Sequence, residues 1–272
     1  MHLNKIWPIA GITLREGIRN RSLQGILFVA ALLCAVYLVV IPLFAFDTGK
    51  VAVDLSFASI TLAGLAIVIF LGIALVAKDI HHRSVCMVLS RPIARTDYIL
   101  GKFCGVGLTV LIAIVIIGAM GLATAGLGIK FILEIEAPPN FSWGVMLLTL
   151  LYQYIALLVL MAFAFFYTVL TSNEYLSMLF TFCTYIIGHS LETIVKVLQS
   201  GEYFDAGTGY ISVMKLLTWV FPNLSAFDLK IYLGYGLDLP WSNIIWTGVY
   251  GVFYIALLLF LTVVIFNKKE LR

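Results

Sequence analysis

The sequence contains few charged residues. Asp, Glu, Lys and Arg make up 11% of the 272 residues, whereas 62% are hydrophobic and the mean hydropathy is +1.07. An average soluble domain contains about 25% charged residues. A water-soluble fold of this length needs more polar surface than this. The composition therefore disfavours a soluble enzyme, a disordered chain and a secreted disulfide scaffold, and it predicts an integral membrane protein.

Cysteine and net charge are also low. The four cysteines are scattered without metal-ligand spacing: Cys34, Cys86, Cys104 and Cys183. His189 and Glu192 lie three residues apart, but no third ligand is obvious nearby, so we interpret them as a helix-end pair. The net charge of +3 is too small to indicate nucleic-acid binding. We therefore expect no metal site in this chain and no nucleic-acid partner.

Motifs of nucleotide hydrolysis and of other enzyme chemistry are absent from the sequence. Gly101 and Lys102 follow a loop, as a Walker A lysine does. However, Thr96 stands at the first glycine position and Phe103 replaces the hydroxyl residue that holds magnesium. Neither HExxH nor GxSxG occurs. We therefore expect that this chain is not an enzyme and that it holds no cofactor of its own.

Long apolar runs dominate what is present. About 20 apolar residues cross the roughly 30 Å hydrocarbon core, and a charge at its centre costs about 2.5–3.5 kcal/mol. Charge-free runs predict six spans at approximately 22–46, 55–77, 103–129, 143–170, 175–191 and 241–266. Residues 171–174 predict a tight hairpin between two of them. The predicted fold class is an all-α integral membrane protein with a single transmembrane domain over residues 1–272.

The distribution of basic residues predicts the orientation. An alternating arrangement with residues 1–21 inside places most of the 17 Lys and Arg residues in the cytoplasm. Both termini are then cytoplasmic, and the expected location is the inner (cytoplasmic) membrane.

The first 21 residues do not resemble a signal peptide, because they precede a 25-residue apolar run. Apolar residues recur on one helical face: Leu3, Trp7, Ala10, Leu14 and Ile18. Arg15, Glu16 and Arg19 lie off that stripe. The pattern favours a helix lying in the membrane interface, with Trp7, Arg15, Glu16 and Arg19 as its characteristic residues and lipids as its partners. The alternative is a cytoplasmic tail that packs on another surface.

The segment 192–240 is not uniformly polar. Residues 210–222 and 231–239 are apolar, but neither stretch is long enough to span. They indicate re-entrant or interfacial elements before the last span, or alternatively a small extracellular cap.

Segment 78–102 is the most distinctive part of the chain. It holds five basic residues around an apolar centre. Pro92 biases Arg91 away from helix, and Thr96 or Asp97 is a suitable N-cap for the next helix. The sequence predicts a short cytoplasmic helix, a break, and entry into the third span. Such an element suits a groove in a soluble partner; the alternative is an ordinary basic loop that anchors topology.

This segment resembles the loop between spans two and three of exporter-type ABC transporter permeases, often called ABC type 2. The similarity lies in Asp79-Ile80-x-x-Arg83-Ser84, then Leu89-Ser90-Arg91-Pro92-Ile93-x-Arg95, then Tyr98-x-Leu100-Gly101-Lys102. In that family the loop typically reads Glu-Ile-x-x-Gly-Thr, then Leu-x-x-Pro-x-x-Arg, then Gly-Lys. Asp79, Arg83 and Ser84 depart from that pattern, and Arg83 alters the expected turn. The opening helix and the basic tail after the sixth run are also similar.

The resemblance implies a permease subunit that forms the substrate pathway as a dimer, with a second copy or a paralogue. It further implies an interfacial amino-terminal helix, a cytoplasmic coupling helix, re-entrant elements before the last span, and two separate ATPase subunits that hold ATP and magnesium. Alternatives are a self-sufficient secondary carrier or channel, a non-transporting membrane anchor of a complex, or a membrane-embedded enzyme. The aromatic and aliphatic composition leans toward an amphipathic or lipid-like cargo.

On this resemblance we expect the ATPase-coupling residues to be Asp79, Ser84, Val85, Val88, Leu89, Arg91, Pro92 and Arg95. Within this set, three residues are the expected charged contacts, namely Asp79, Arg91 and Arg95, and three form an apolar plug, namely Val85, Val88 and Leu89. Glu16 and Arg19 are expected to tie the amino-terminal helix to this loop. Gly101 and Gly105 predict close helix packing, or alternatively flexibility at helix entry.

Overall fold

The fold is helical throughout the part of the chain that the structure describes. The structure is a computed structural model and describes residues 3–40, 48–81, 94–127, 142–200, 213, 220–235 and 237–268. The helices are α1 Leu3–Arg19, α2 Arg21–Val40, α3 Thr48–Ala66, α4 Ile73–His81, α5 Arg95–Leu127, α6 Trp143–Thr171, α7 Glu174–Ser200, α8 Lys230–Tyr235 and α9 Trp241–Lys268. A π-helical segment, Ile67–Gly72, joins α3 to α4, and a 3-10 turn, Ser225–Phe227, precedes α8.

Several helices are long and apolar enough to cross a membrane. Within the described residues these are Lys50–Asp79, Arg95–Gly121, Trp143–Thr171 and Trp241–Lys268. α1 and α2 pass the same test only together, with a bend of 56° between them. The protein is thus embedded in a membrane, as predicted. The six-span arrangement is not confirmed, because α7, where the fifth span is predicted, is not among these helices.

The continuous helix α3–α4 lies at the centre of the bundle, against α5 and α6. Its apolar stretch is 67% buried, whereas that of α9 is only 28% buried. The largest fully buried side chains are Phe165, Phe227, Phe266, Ile60, Ile67, Leu71, Ile73, Ile99, Ile117, Met146 and Leu160. Peripheral helices such as α9 therefore present apolar side chains outward, as lipid contact requires.

The hairpin between α6 and α7 is as short as predicted. Ser172, which follows the end of α6, adopts a left-handed conformation with φ 54°. The Asn173 side chain then accepts hydrogen bonds from the amides of Tyr175 and Leu176 at 3.0 and 3.3 Å. This cap satisfies two of the free amides of the first turn of α7.

Two of the predicted spans lie within longer helices. The second predicted span, 55–77, lies in a longer helical run that begins at Thr48 and ends at His81. The third, 103–129, lies in a helix that begins at Arg95. Counting charge-free residues stops at Lys102, but Lys102 is inside the helix and only 5% exposed. Residues 41–46 and 128–129 of two predicted spans lie outside the described residues.

The apolar stripe predicted for α1 does not form one lipid-facing surface. Ala10 is 1% exposed because it packs against α5, whereas Trp7 is 65% exposed. Thr13 and Gly17 are buried together with Ala10. The buried face is thus set by small residues that allow close approach, and hydropathy alone does not reveal it. Whether α1 lies in the membrane interface stays a prediction.

The segment before α9 packs firmly on the bundle. Leu224, Phe227, Leu229 and Leu233 are each less than 5% exposed. The Leu224 amide donates to the Gly188 carbonyl in α7 at 3.1 Å. The choice between a re-entrant element and an extracellular cap stays open, and residues 210–212 and 214–219 lie outside the described residues.

Candidate functional site

A cluster of charged residues joins α1, α4 and α5 at one end of the bundle. Lys102 Nζ lies 2.7 Å from Asp79 Oδ2 and 3.7 Å from Glu16 Oε2. Lys78 Nζ lies 3.0 Å from Glu16 Oε1. Together with Tyr98, these residues form what we term the charged junction: Glu16, Lys78, Asp79, Tyr98 and Lys102.

The centre of the charged junction is buried. The Lys102 side chain is 7% exposed and the Asp79 side chain 17%. The Tyr98 hydroxyl donates to Asp79 Oδ2 at 2.6 Å, and Lys102 also donates to the Leu75 carbonyl at 3.4 Å. An isolated buried charge is very costly, so loss of either Asp79 or Lys102 would leave the other as an uncompensated charge.

Arg95 links the first turn of α5 to the last turn of α9. Its Nη1 donates to the carbonyls of Phe266 at 3.0 Å and Asn267 at 3.2 Å. The guanidinium lies 5.9 Å from the centre of the Phe266 ring, and Tyr98 stacks on the same ring at 6.1 Å. A cation at the carbonyl end of a helix is favourable, because those carbonyls lack intrahelical donors.

Glycines bring α1 close to α5. A Cβ atom at Gly101 would lie 2.8 Å from Ile9 Cβ, and one at Gly105 would lie 2.8 Å from the Ala10 carbonyl oxygen. On the other side of the contact, a Cβ at Gly17 would lie 2.7 Å from Thr109 Oγ1. Since the contacts advance together along both helices, α1 runs beside the first turns of α5 in the same direction. Gly101 and Gly105 therefore face α1.

The structure places the predicted site residues in three groups. Ser84, Val85, Val88, Leu89, Arg91 and Pro92 lie outside the described residues. Asp79 and Arg95 lie on either side of that stretch, and both contact other helices of this chain. Trp7, Arg15 and Arg19 are exposed on α1, while Glu16 belongs to the charged junction.

Sequence reasoning placed Tyr98 and Lys102 in the family motif but predicted no contact for them or for Lys78. The available signal was charge: Lys78 and Asp79 directly follow the predicted span 55–77, and Lys102 directly precedes the predicted span 103–129. Opposite charges at the two ends of a short loop meet when the flanking helices are antiparallel neighbours.

A cavity with a mixed apolar and polar lining lies at the opposite end of the bundle, near the start of α9. Its volume is about 340 Å³, and its lining includes Glu192, Asp228, Asn243 and Thr247. Glu192 Oε2 accepts hydrogen bonds from Ser225 Oγ at 2.6 Å and Asn223 Nδ2 at 3.3 Å.

No group of three or more His, Cys, Asp and Glu suited to a metal ion occurs in the described ranges. Of the two residues predicted to form a helix-end pair, His189 contacts the Tyr185 ring and Glu192 lines this cavity; the pairing itself stays a prediction.

The apolar helices and the charged clusters at both ends of the bundle define the class of this protein. It is a polytopic α-helical membrane protein. The chain belongs to the family described as "Protein of unknown function (DUF2705)", whose model matches residues 48–272. That match includes α3 through α9. No match was found among curated proteins.

Proposed function

We propose that this chain is the membrane-spanning permease subunit of an ATP-driven ABC exporter. The observation that carries the proposal is the charged junction, which lies on both sides of the predicted coupling segment. The helix that enters this segment carries Lys78 and Asp79 in its last turn, and the helix that leaves it carries Arg95, Tyr98 and Lys102. A force on residues 82–93 would therefore act on α1, α4, α5 and α9 together.

The proposed mechanism uses the coupling segment as a lever. Closure of two partner ATPases on ATP and magnesium displaces Ser84 to Arg95. The buried pair of Asp79 and Lys102 makes α4 and α5 move as one body, and Glu16 carries α1 with them. Arg95 transmits the same displacement to the end of α9. The dimer interface, with a second copy or a paralogue, then opens the substrate path.

The arrangement in the cell belongs to the same proposal. Both termini and the coupling segment face the cytoplasm, α1 contacts the membrane surface, and the chain resides in the inner membrane. The excess of basic residues in the corresponding segments supports this orientation. The cargo is an amphipathic or lipid-like molecule, supported by the aromatic and aliphatic composition of the spans.

We propose different roles for two of the predicted ATPase contacts. Asp79 is held by Tyr98 and Lys102, and Arg95 is held by two carbonyls of α9. Both residues act in our proposal as internal links behind the coupling segment. Arg91 is the remaining charged residue proposed to contact the ATPase directly, with Val85, Val88 and Leu89 as the apolar plug.

Reversal of charge at Arg91 tests the proposal. We expect Arg91→Glu to abolish co-purification of an ATPase with the tagged chain and to abolish ATP-dependent transport. Lys230→Gln, at the other end of the bundle, is the matched control and should retain both. Arg95→Glu is less diagnostic because it also disturbs the end of α9. If Arg91→Glu retains both the ATPase and transport, the coupling assignment is wrong; flux in liposomes without ATP would indicate a self-sufficient carrier.

A further inference from the structure

A groove on the lipid-facing side of the bundle lies between α2 and α3. It has a volume of about 350 Å³ and is lined by Ser22, Gly25, Ile26, Val29, Ala30, Leu62, Ala63, Ala66 and Phe70. We term it the α2–α3 groove. Ser22 is the one polar side chain in this lining. Val29, Leu62 and Phe70 are each more than half exposed, so the groove opens sideways toward the bilayer.

Small side chains create the α2–α3 groove. Gly25 and Ala30 on α2, and Ala63 and Ala66 on α3, leave the space that larger residues would fill. A Cβ atom at Gly25 would meet no other atom within 4 Å. The space is thus a real gap in side-chain packing rather than a close helix contact of the kind made by Gly101 and Gly105.

One end of the groove lies at a bilayer surface and is basic. Arg21, the first residue of α2, is exposed, and an exposed arginine in the hydrocarbon core is costly, so this end of the groove lies at the bilayer surface. Arg21 lies next to Ser22 and four residues before Gly25 on the same helical face. Arg19 lies just across the bend. Both arginines are exposed, and neither pairs with a carboxylate of the described residues.

We propose that the α2–α3 groove binds one anionic phospholipid of the surrounding bilayer. An acyl chain fills the apolar groove, and Arg19 and Arg21 bind the headgroup phosphate. An acyl chain fits because the groove is apolar and open to the hydrocarbon. An anionic headgroup is selected because a basic residue at a membrane surface gains about 1 kcal/mol from negative lipid charge. The site is independent of the proposed transport function and requires only the embedding in a membrane.

Native mass spectrometry of the purified, delipidated full chain tests this site. The probes are phosphatidylglycerol and phosphatidylcholine with identical acyl chains. We expect the wild type to bind one phosphatidylglycerol at least fivefold more tightly than phosphatidylcholine. Arg21→Gln should weaken phosphatidylglycerol binding about fivefold, since one basic contact is lost, and should leave phosphatidylcholine binding unchanged.

A groove-filling variant tests the acyl-chain half of the site. Gly25→Leu places a side chain in the empty space and should weaken binding of both lipids at least tenfold. Gly11→Leu is the matched control, because a Cβ at Gly11 also meets nothing within 4 Å but lies outside the groove. It should bind both lipids as the wild type does.

Three results would overturn the proposal. One is equal binding of the two lipids by the wild type. Another is unchanged phosphatidylglycerol binding by both Arg21→Gln and Gly25→Leu. The third is a change of oligomeric state in Gly25→Leu without a change in lipid affinity, which would show that a second copy of the chain covers the groove. Arg21→Gln alters an exposed residue, so it remains informative even where Gly25→Leu fails to fold.

Discussion

Lys102 in α5 forms a buried ion pair with Asp79 at the end of α4, with 2.7 Å between Nζ and Oδ2. The pair connects the two helices on either side of the segment that contains Ser84 to Arg91. Because Glu16 of α1 also contacts Lys102, three helices meet at one buried ammonium group. This junction is the physical basis for treating α1, α4 and α5 as one mechanical unit.

Removal of one partner of this pair should be strongly destabilising. We expect Asp79→Asn to lower the free energy of unfolding by about 3–5 kcal/mol, because it leaves the Lys102 charge buried without its nearest partner. Unfolding in mixed micelles measures the change. Lys230→Gln, which removes a more exposed pair with Asp228, should cost about 1 kcal/mol or less.

The double variant Asp79→Asn with Lys102→Met checks the cause of that loss. It removes both charges and should recover at least half of the stability lost in Asp79→Asn. A double variant as unstable as the sum of its two single changes would show that the pair does not act as a unit.

The contact between α1 and α5 predicts opposite effects for two glycine substitutions. Gly105→Ala should lower the free energy of unfolding by about 1–3 kcal/mol, because its Cβ would lie 2.8 Å from the Ala10 carbonyl oxygen. Gly11→Ala meets nothing within 4 Å and should stabilise the helix by about 0.5–1 kcal/mol. Thermal unfolding in one detergent compares the two. Equal shifts of the same sign would contradict the packing.

Hydrogen bonds to Glu192 predict a local effect at the other end of the bundle. Ser225→Ala removes the 2.6 Å hydrogen bond to Glu192 and should destabilise the turn by about 1–3 kcal/mol. Hydrogen exchange should then be faster at the amides of Leu224 and Ala226. Thr247→Ala removes only a bond within its own helix, to the Asn243 carbonyl, and should leave that exchange unchanged. Unaltered protection in Ser225→Ala would show that the hydrogen bond to Glu192 does not hold this turn.

The hydrogen bonds of Arg95 link the start of α5 to the end of α9. Arg95→Gln should speed hydrogen exchange and proteolysis in the last turn of α9, because the carbonyls of Phe266 and Asn267 lose their charged donor. The expected loss is about 1 kcal/mol. Arg95→Lys should show a smaller effect, since it keeps the charge but not the guanidinium. Identical protection in all three proteins would contradict the link.

The sequence predicted those parts of the fold that depend on local composition. Four of the predicted spans coincide with helices long and apolar enough to cross a membrane, and residues 171–174 identified the hairpin, because each signal is carried by adjacent residues. The N-cap signal at Thr96 or Asp97 lies close to the start of α5 at Arg95, but the charge-free run begins only at Phe103. A charge normally marks the end of a span, but Lys102 is neutralised by Asp79, which lies 23 positions earlier in the sequence.

The buried face of α1 could not be predicted for a related reason. The predicted apolar stripe included Trp7 and Ile18, yet the smaller residues Thr13 and Gly17 face α5. The choice depends on the shape of the partner helix, where Gly105 permits close approach. The candidate site was predicted in part: Glu16 was expected to tie α1 to the loop, but its partners Lys78 and Lys102 were not identified.

Site-specific photo-crosslinking in the native host tests the central claim most directly. A photoreactive residue at Val88 lies in the coupling segment, and one at Trp241 lies at the opposite end of the bundle, where it is exposed. The account predicts that Val88 crosslinks to a soluble subunit with Walker motifs, identified by mass spectrometry, and that Trp241 does not. Labelling of position 88 from outside the cell, or a nucleotide bound to the purified single chain, would contradict it.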